Sequence, residues 1–449
     1  MSQPIGASSS SLTRGVLFAY GSLGFPLAAA FIALQVIVPT FYAEYTDLSL
    51  SVIGVVLLVA RLCDMATDPI VGLWSDRTQS RFGRRKVFVM AAVVPIGVSI
   101  WALFNPPQDA GAIYLLFWTI AIYVTGTVSI VPLSAWGAEL APDYHQKARV
   151  TGVRVAFGLA GTLCALLVPV FIGTEAGKSY GESLQAIAIL ALVTLALSSL
   201  WAAFTVPDIS DTQLPENAWP AMRELLVTSN PFRQLLCSFL LNAIGNAIPA
   251  TLFLLFVTHV IGREELAGQL LFLYFITAAL SVPFWVWCAK RLGKHQTWSV
   301  AILMACAFFL WTPFLSPDTA WVYVLIVACT GFATGADLAL PSAINGDIIE
   351  WDALKTGYKR PGLFFALWGT ASKLAYGLAI GVAFPLLDVF GFDANGFNTD
   401  SSITALAFLY GVPCIVFKLS ALWVMRGYPI TEVEHRKIRA ALEEREARE

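Results

Sequence analysis

Two aspartates stand four residues apart in an otherwise apolar stretch, RLCDMATDPIVGLWSDRTQSRFGRRK, residues 61–86. On a helix, Asp64 and Asp68 would share one face, with Arg61 one turn before Asp64 and Thr67 alongside. Two carboxylates this close repel each other unless a cation, a proton or a basic side chain neutralises them. Because carboxylate and hydroxyl oxygens suit a hard cation, the pattern predicts a site for Na⁺ or H⁺. The alternative is a salt bridge to Arg61 that merely joins helices, which would leave one aspartate unpaired.

The composition explains why carboxylates in this stretch are unusual. The 449 residues are 57% hydrophobic and 13% charged, with a mean hydropathy of +0.71 and a net charge of −2, whereas about a quarter of a soluble domain is charged. The seven cysteines are scattered singly in apolar segments, without the spacing of metal ligands. This is the composition of a polytopic membrane protein. A charge in the middle of a membrane costs about 2.5–3.5 kcal/mol on insertion scales and usually faces the interior of a helix bundle.

The elements that must position these residues are transmembrane helices, since open strands leave backbone groups unpaired in lipid. Apolar segments of about 20 residues, enough to cross a bilayer, predict an all-α membrane protein with twelve helices in two bundles. The domains we predict are an N-terminal bundle at 1–205, a cytoplasmic central loop at 206–230, a C-terminal bundle at 231–426 and a cytoplasmic tail at 427–449. The predicted helices lie near 15–42, 48–74, 87–105, 111–140, 150–173, 183–206, 231–261, 265–290, 296–315, 320–348, 362–391 and 401–426.

Lysine and arginine are distributed unevenly between the two sets of loops. One set of loops has only Lys178 and Arg263 as basic residues, so the positive-inside rule places these loops outside and both termini in the cytoplasm. The cytoplasmic side would carry Arg77, Arg81, Arg84, Arg85, Lys86, Lys147, Arg149, Arg223, Lys290, Arg291, Lys294, Lys355, Lys359, Arg360, Arg436, Lys437 and Arg439.

Further ionisable and aromatic residues lie inside the predicted helices. Arg154, Asp337 and Lys373 are predicted to line a substrate cavity, although an ion pair between Asp337 and Lys373 is an open alternative. Lys418 is expected to extend towards the cytoplasmic interface. The candidates for stacking on a substrate are Trp368 and Tyr376, with packing as the alternative.

Four stretches of the chain, taken together, resemble one family. They are RLCDMATDPIVGLWSDRTQSRFGRRK, IVPLSAWGAELAPDYHQKARVTGVR (130–154), DIIEWDALKTGYKRPG (347–362) and FFALWGTASKLAYGLAIG (364–381). They look like the signatures of the glycoside–pentoside–hexuronide:cation symporters, the melibiose-permease-like branch of the major facilitator superfamily. The resemblance covers essentially the whole chain. It implies two six-helix bundles, a central cavity and alternating access.

The resemblance also implies roles for individual residues. Asp64 and Asp68 match the family's paired cation-site aspartates, Thr67 falls where a polar neighbour is found, and Thr127 is a candidate to complete the site. Arg154 matches an arginine that serves substrate binding and coupling, and Lys373 matches a lysine near the cavity.

Three positions depart from the sugar-transporting members. The first-helix aspartate that grips sugar hydroxyls falls at or beside Pro26, the polar residue before the fourth-helix proline is Ile130, and a tryptophan is replaced by Ser134. We therefore predict a Na⁺- or H⁺-coupled symporter of a small organic solute, with a sugar or glycoside among the candidates. The alternatives are a transporter or exporter of an amphipathic or lipid-like substrate and a non-transporting accessory protein on the same fold.

The basic loop after the second helix suggests a gate. We predict that Asp76, Arg77, Arg84 and Arg85 stabilise the outward-facing state through ion pairs with neighbouring helix ends; the alternative is that the loop only determines topology. We expect no cofactor apart from the coupling ion and no catalytic residues. The expected partners are the solute, the cation and the lipid bilayer, without nucleic acid, and the expected location is a bacterial inner membrane, as a monomer.

Overall fold

The computed structural model describes residues 13–78, 80, 82–140, 144–172, 180–207, 218–356, 361–394 and 397–446. Within these ranges the chain forms fifteen α-helices. They are α1 (Arg14–Ser22), α2 (Gly24–Tyr45), α3 (Leu50–Arg77), α4 (Lys86–Phe104), α5 (Ala112–Glu139), α6 (Tyr144–Ile172), α7 (Tyr180–Thr205), α8 (Ala218–Thr228), α9 (Asn230–Phe256), α10 (Ala267–Leu292), α11 (Lys294–Phe309), α12 (Ala320–Thr356), α13 (Pro361–Val389), α14 (Asp400–Met425) and α15 (Glu432–Glu446).

The described residues contain twelve helical segments long and apolar enough to cross a membrane, which confirms the predicted all-α class and the number of spans. The first span, Arg14–Tyr45, consists of α1 and α2, which meet at Leu23. α12 continues to Thr356, eight residues beyond the predicted end at 348. Hydropathy marks where a helix leaves the bilayer rather than where the helix ends, so the charged continuation of α12 was missed.

The predicted central loop is partly helical. α8 (Ala218–Thr228) lies within the segment 206–230, directly before α9. At the start of the same segment, the backbone carbonyls of Val206 and Pro207 accept hydrogen bonds from Lys86 Nζ and Trp136 Nε1 at 3.3 and 2.9 Å. These bonds attach the beginning of the connection to α4 and α5.

The charged C-terminal helix packs on the second half of the chain. Ile438 of α15 is buried, as are Tyr428 and Ile430 in the segment that leads into the helix. All three belong to a core cluster whose other members come from α8 to α14. The interleaved apolar residues of this tail therefore anchor it to the bundle.

α3 and α13 approach each other closely at three glycines. A Cβ atom on Gly381 would lie 2.6 Å from Leu58 Cδ2, and one on Gly377 would lie 3.0 Å from Arg61 Cγ. A Cβ on Gly54 of α3 would lie 3.0 Å from the carbonyl oxygen of Ile380. Small residues allow membrane helices to pack backbone to backbone, so these glycines bring the first and second halves of the chain into contact.

We predict that Gly381→Ala lowers the melting temperature of the purified protein. The added methyl group must displace Leu58, and overpacking of this kind costs about 1–3 kcal/mol. The matched control is Gly369→Ala on the same helix, because a Cβ there meets no atom within 4 Å. Thermal unfolding in detergent provides the comparison, and equal melting temperatures for the two variants would contradict the close approach.

Candidate cation site

The two aspartates of α3 meet a hydroxyl group from α5. Asp64 is buried and Asp68 is partly exposed, and the Oδ1 atom of each lies 3.0 Å from Thr127 Oγ1. The hydroxyl has one proton, so it donates to one carboxylate at a time or shares the proton between both. The helical spacing that places the aspartates on one face thus brings their Oδ1 atoms to the Thr127 hydroxyl. That these three oxygens bind a cation stays a prediction.

A lysine from the other half of the chain completes this cluster. Lys373 Nζ, on α13, lies 2.8 Å from Asp64 Oδ1, 2.7 Å from Asp68 Oδ1 and 3.4 Å from Thr127 Oγ1. A lysine ammonium group has three donors, and here each has an oxygen acceptor. The ammonium group therefore lies between the carboxylates where a small cation would find the same three oxygens.

Arg61 holds Asp64 from the opposite side. Its Nη1 atom lies 3.3 Å from Asp64 Oδ2, and both side chains are buried. The guanidinium carbon lies 4.3 Å from the centre of the Tyr123 ring on α5, a distance typical of a cation–π contact. The salt bridge considered from the sequence is therefore present, but it engages only Asp64; Asp68 is paired with Lys373.

The charges of the site balance. Arg61 and Lys373 contribute two positive charges against the two carboxylates, so a monovalent cation in place of the Lys373 ammonium group would leave the sum unchanged. Among the described residues, no group of three or more His, Cys, Asp or Glu side chains is placed to hold a metal ion. Two carboxylates and a hydroxyl suit a hard monovalent ion. Protonation of one carboxylate would change the net charge of the site by the same amount as binding of this ion.

Thr67 is placed differently from the sequence-based expectation. Its hydroxyl donates to the backbone carbonyl of Asp64 at 2.8 Å, within α3. The structure brings Asp64, Asp68 and Thr127 together and leaves the Thr67 hydroxyl bonded to its own helix.

A second polar cluster surrounds Asp337 in the C-terminal half. Its Oδ1 atom accepts from Trp298 Nε1 at 2.6 Å, and its Oδ2 atom accepts from Asn246 Nδ2 at 2.8 Å. Lys418 Nζ lies 3.8 Å from the same Oδ2 atom and donates to Asn242 Oδ1 at 2.9 Å.

This second cluster corrects two sequence-based alternatives. Asp337 does not pair with Lys373, because each is held in a different cluster. Lys418 does not extend to the interface: it is 2% exposed and lies inside the bundle. An ammonium group buried in a membrane needs a carboxylate and hydrogen-bond acceptors nearby, and Asp337 and Asn242 provide them.

The remaining substrate candidates are Arg154, Trp368 and Tyr376. Arg154 Nη1 donates to Ser134 Oγ at 3.0 Å at an exposed position. The Trp368 ring stacks on Phe239 with ring centres 3.7 Å apart, which favours a packing role. Tyr376 is partly buried against the main core.

Of the gating candidates, the side chains of Asp76 and Arg77 lie outside the described part of the structure. Arg85 is buried, and its Nη1 atom donates to Ser75 Oγ at 2.7 Å, which ties the start of α4 to the end of α3. Arg84 also lies in the described part of this loop.

Comparison with known proteins agrees with this architecture. The family model described as MFS/sugar transport protein matches residues 17–432. The uncharacterized symporter YnaJ of Bacillus subtilis (strain 168) is 25% identical over 419 residues, which cover 90% of this chain and 89% of that protein.

Two relatives with named substrates are similarly distant. The sodium-dependent lysophosphatidylcholine symporter 1 of Homo sapiens is 23% identical, over 87% of this chain and 78% of that protein. The isoprimeverose transporter of Lactiplantibacillus pentosus is 23% identical, over 96% of this chain and 92% of that protein. Among solved structures, a point mutant of the nucleoside transporter NupG superposes with a TM-score of 0.67 at 13% identity, covering 91% of this chain and 99% of that one, and supports the fold.

We predict that Lys373→Met destabilises the protein in sodium-free buffer and that adding Asp68→Asn restores much of the loss. The single variant leaves a surplus negative charge at the site; the double variant removes it. Breaking a buried pair costs about 3–5 kcal/mol, and we expect the lower end because the side chains of Lys373 and Asp68 are each 24% exposed. Thermal unfolding of wild type, both single variants and the double variant measures the coupling. Strictly additive losses would contradict the charge balance.

Proposed function

Because the chain belongs to the MFS/sugar transport protein family, we propose that it couples Na⁺ or H⁺ to the movement of a small organic solute by alternating access. Membership makes it a multi-pass membrane transporter of a symporter family and not an enzyme. The observation that carries the proposal is the contact of Lys373, in the second half of the chain, with both Asp64 and Asp68, in the first. Alternating access requires the two halves to separate. An ion that binds to the aspartates would weaken the ion pairs that join these halves.

In the proposed mechanism the coupling cation replaces the Lys373 ammonium group. The cation would take Asp64 Oδ1, Asp68 Oδ1 and Thr127 Oγ1, three oxygens that belong to the first half alone. α13 would then lose its charged attachment to α3, and the two helices could separate. Ion binding thus changes the relative stability of two conformations, and coupling requires such a differential affinity.

The packing of α3 against α13 suggests which conformation is present. The close contacts at Gly54, Leu58 and Arg61 lie on the part of α3 that precedes Asp64. With cytoplasmic termini, this part of α3 faces the outside, so the outer side is closed between these helices. We therefore assign the arrangement to an inward-facing state, which the contacts of Lys373 with both aspartates would stabilise while no cation occupies the site.

The substrate is proposed to contact both halves. Arg154 offers donors on the side of the first half. The exposed Ser134 Oγ donates its proton to the Ile130 carbonyl and so offers an acceptor. Asp337 retains unused acceptor capacity, since each carboxylate oxygen has two lone pairs, and Trp368 and Tyr376 are the aromatic candidates on α13. A sugar or glycoside would use these polar groups.

A lipid-like solute is the second candidate. It is favoured by the apolar replacements Pro26 and Ile130 and by the named substrate of the sodium-dependent lysophosphatidylcholine symporters.

The cellular setting completes the proposal. We propose bundles at 1–205 and 231–426, a monomeric state, cytoplasmic termini and a bacterial inner membrane. A relative described as an inner membrane symporter, YicJ of Escherichia coli (strain K12), supports this location; it is 23% identical over 87% of this chain and 86% of that protein.

The cation site predicts a sodium-dependent melting temperature. For a Na⁺-coupled protein, NaCl at constant ionic strength against choline chloride should stabilise wild type, and Asp64→Asn and Asp68→Asn should each abolish this effect. Asp337→Asn is the matched control, since it removes a carboxylate of the second cluster and should leave the response intact. For H⁺ coupling, the response to pH should replace the response to Na⁺ and disappear in the same two variants. Full responses in both aspartate variants would overturn the site.

The basic loop predicts a shift between conformations. If it stabilises the outward-facing state, Asp76→Ala with Arg77→Ala should increase labelling of single cysteines introduced into the cytoplasmic half of the cavity and decrease labelling in the outer half. Arg223→Ala, a change of charge in the central loop, should leave labelling unchanged. Unaltered labelling in a correctly inserted Asp76/Arg77 variant would leave the loop with a role in topology alone.

A further inference from the structure

A cavity of about 370 Å³ lies at one end of the C-terminal half, far along the chain from the aspartates of α3. Its walls are the end of α10, the start of α11, the middle of α12 and the tail that leads into α15. Leu340 and Ile344 of α12 belong to its apolar floor. By the distribution of lysine and arginine, this end of the molecule faces the cytoplasm, so the cavity lies near the inner surface of the membrane.

Basic groups are concentrated in the wall of this cavity. Lys294 Nζ lies 2.6 and 2.8 Å from the two oxygens of Asp347. His435 Nε2 lies 3.3 Å from Asp347 Oδ1 and 2.8 Å from Glu350 Oε2. Arg436 pairs with Glu432 on α15. Lys290 also lines the cavity and forms no ion pair within the described residues. The wall thus has three permanent cations, Lys290, Lys294 and Arg436, and the carboxylates of Asp347 and Glu432. The Glu350 carboxylate lies behind the wall against His435.

One lining residue has an unused hydrogen-bond donor. Tyr428 is 5% exposed, and its hydroxyl group has no hydrogen-bond partner within the described structure. Burial and the nearby Asp347 carboxylate raise the pKa of Tyr428, so the hydroxyl keeps its proton and can donate. Buried polar groups are nearly always hydrogen-bonded. An ordered water or a ligand in the cavity can supply the partner of this hydroxyl.

The start of α11 adds further donors to the same wall. α11 begins at Lys294, directly after Gly293, whose φ of 89° lies in the left-handed region. The first backbone N–H groups of a helix have no partner within the helix, and its N-terminus attracts anions. Lys294 and His295 of this first turn both line the cavity.

We propose that this cavity binds one phosphate group, carried by an anionic phospholipid of the inner leaflet or by a small soluble phosphate compound. The Tyr428 hydroxyl, the Lys290 ammonium group and the first turn of α11 supply the donors, and the apolar floor accommodates the part of the ligand next to the phosphate. The two carboxylates in the wall disfavour a polyanion. Basic pockets between membrane helices on the cytoplasmic side are known sites for lipid headgroups. The site is independent of the cation site, and the inference does not rest on the proposed transport function.

The test uses full-length protein purified in detergent, with two probes. Inorganic phosphate is titrated by calorimetry against chloride of equal ionic strength, and dioleoylphosphatidylglycerol is compared with dioleoylphosphatidylcholine by native mass spectrometry. We expect Tyr428→Phe and Lys290→Gln each to weaken binding of the responding probe about tenfold, the loss expected for one hydrogen bond to a charged group. Arg291→Gln is the matched control, because Arg291 lies outside the cavity, over the Trp287 ring.

The two probes separate the sources of the phosphate. Binding of inorganic phosphate that is lost in Tyr428→Phe and Lys290→Gln assigns a soluble compound; selective binding of phosphatidylglycerol with the same losses assigns the lipid. Tyr428→Phe keeps the buried ring, so an unchanged circular dichroism spectrum will separate loss of binding from loss of folding. The proposal is overturned if neither probe binds wild type, if Tyr428→Phe binds as wild type does, or if Arg291→Gln weakens binding as much as Lys290→Gln.

Discussion

Charges inside a bilayer must be balanced close to where they lie, and this requirement determines the centre of the molecule. Arg61, Asp64, Asp68 and Lys373 form a cluster with a sum of zero, in which each carboxylate accepts from Lys373 and Asp64 also accepts from Arg61. Three of the four residues lie on α3 and the fourth on α13. Because neither half of the chain balances its charge alone, the cluster connects the halves electrostatically as well as by packing.

The packing around this cluster also depends on contact between the two halves of the chain. Gly377 and Gly381 allow α13 to approach Arg61 and Leu58 of α3, and this approach brings Lys373 within hydrogen-bond distance of the carboxylates. A cation that replaced the ammonium group would keep the charge of the first half balanced while α13 moved away. Charge balance, helix packing and the proposed replacement of the ammonium group by a cation are therefore parts of one mechanism. The second cluster differs, because the charges of Asp337 and Lys418 balance within the C-terminal half.

Much of the fold and part of the candidate site could be predicted from the sequence. Apolar length gave the twelve spans, and helical spacing placed Asp64 and Asp68 on one face, because both are properties of local sequence. The partners of the two lysines could not be predicted this way. Asp64, Asp68 and Arg61 on α3 leave one negative charge unbalanced, and Asp337 on α12 is a second one. The sequence does not say which of these charges Lys373 neutralises and which Lys418 neutralises. Helix packing decides between them. Tyr123, Asn242 and Trp298 were missed for the same reason, since aromatic and amide side chains in membrane helices carry no signal of their partners.

In the proposed mechanism, Lys373 and the coupling cation compete for the same carboxylates. The most direct measurement is the affinity for Na⁺, or the proton uptake if the protein is H⁺-coupled, of wild type and Lys373→Met by calorimetry in detergent, with Lys418→Met as the control for removal of a buried lysine. Loss of the internal competitor should tighten cation binding in Lys373→Met by about tenfold or more, equivalent to at least about 1.4 kcal/mol, and Lys418→Met should bind as wild type does. An unchanged or weaker affinity in Lys373→Met would contradict competition and make the lysine a structural partner of the aspartates.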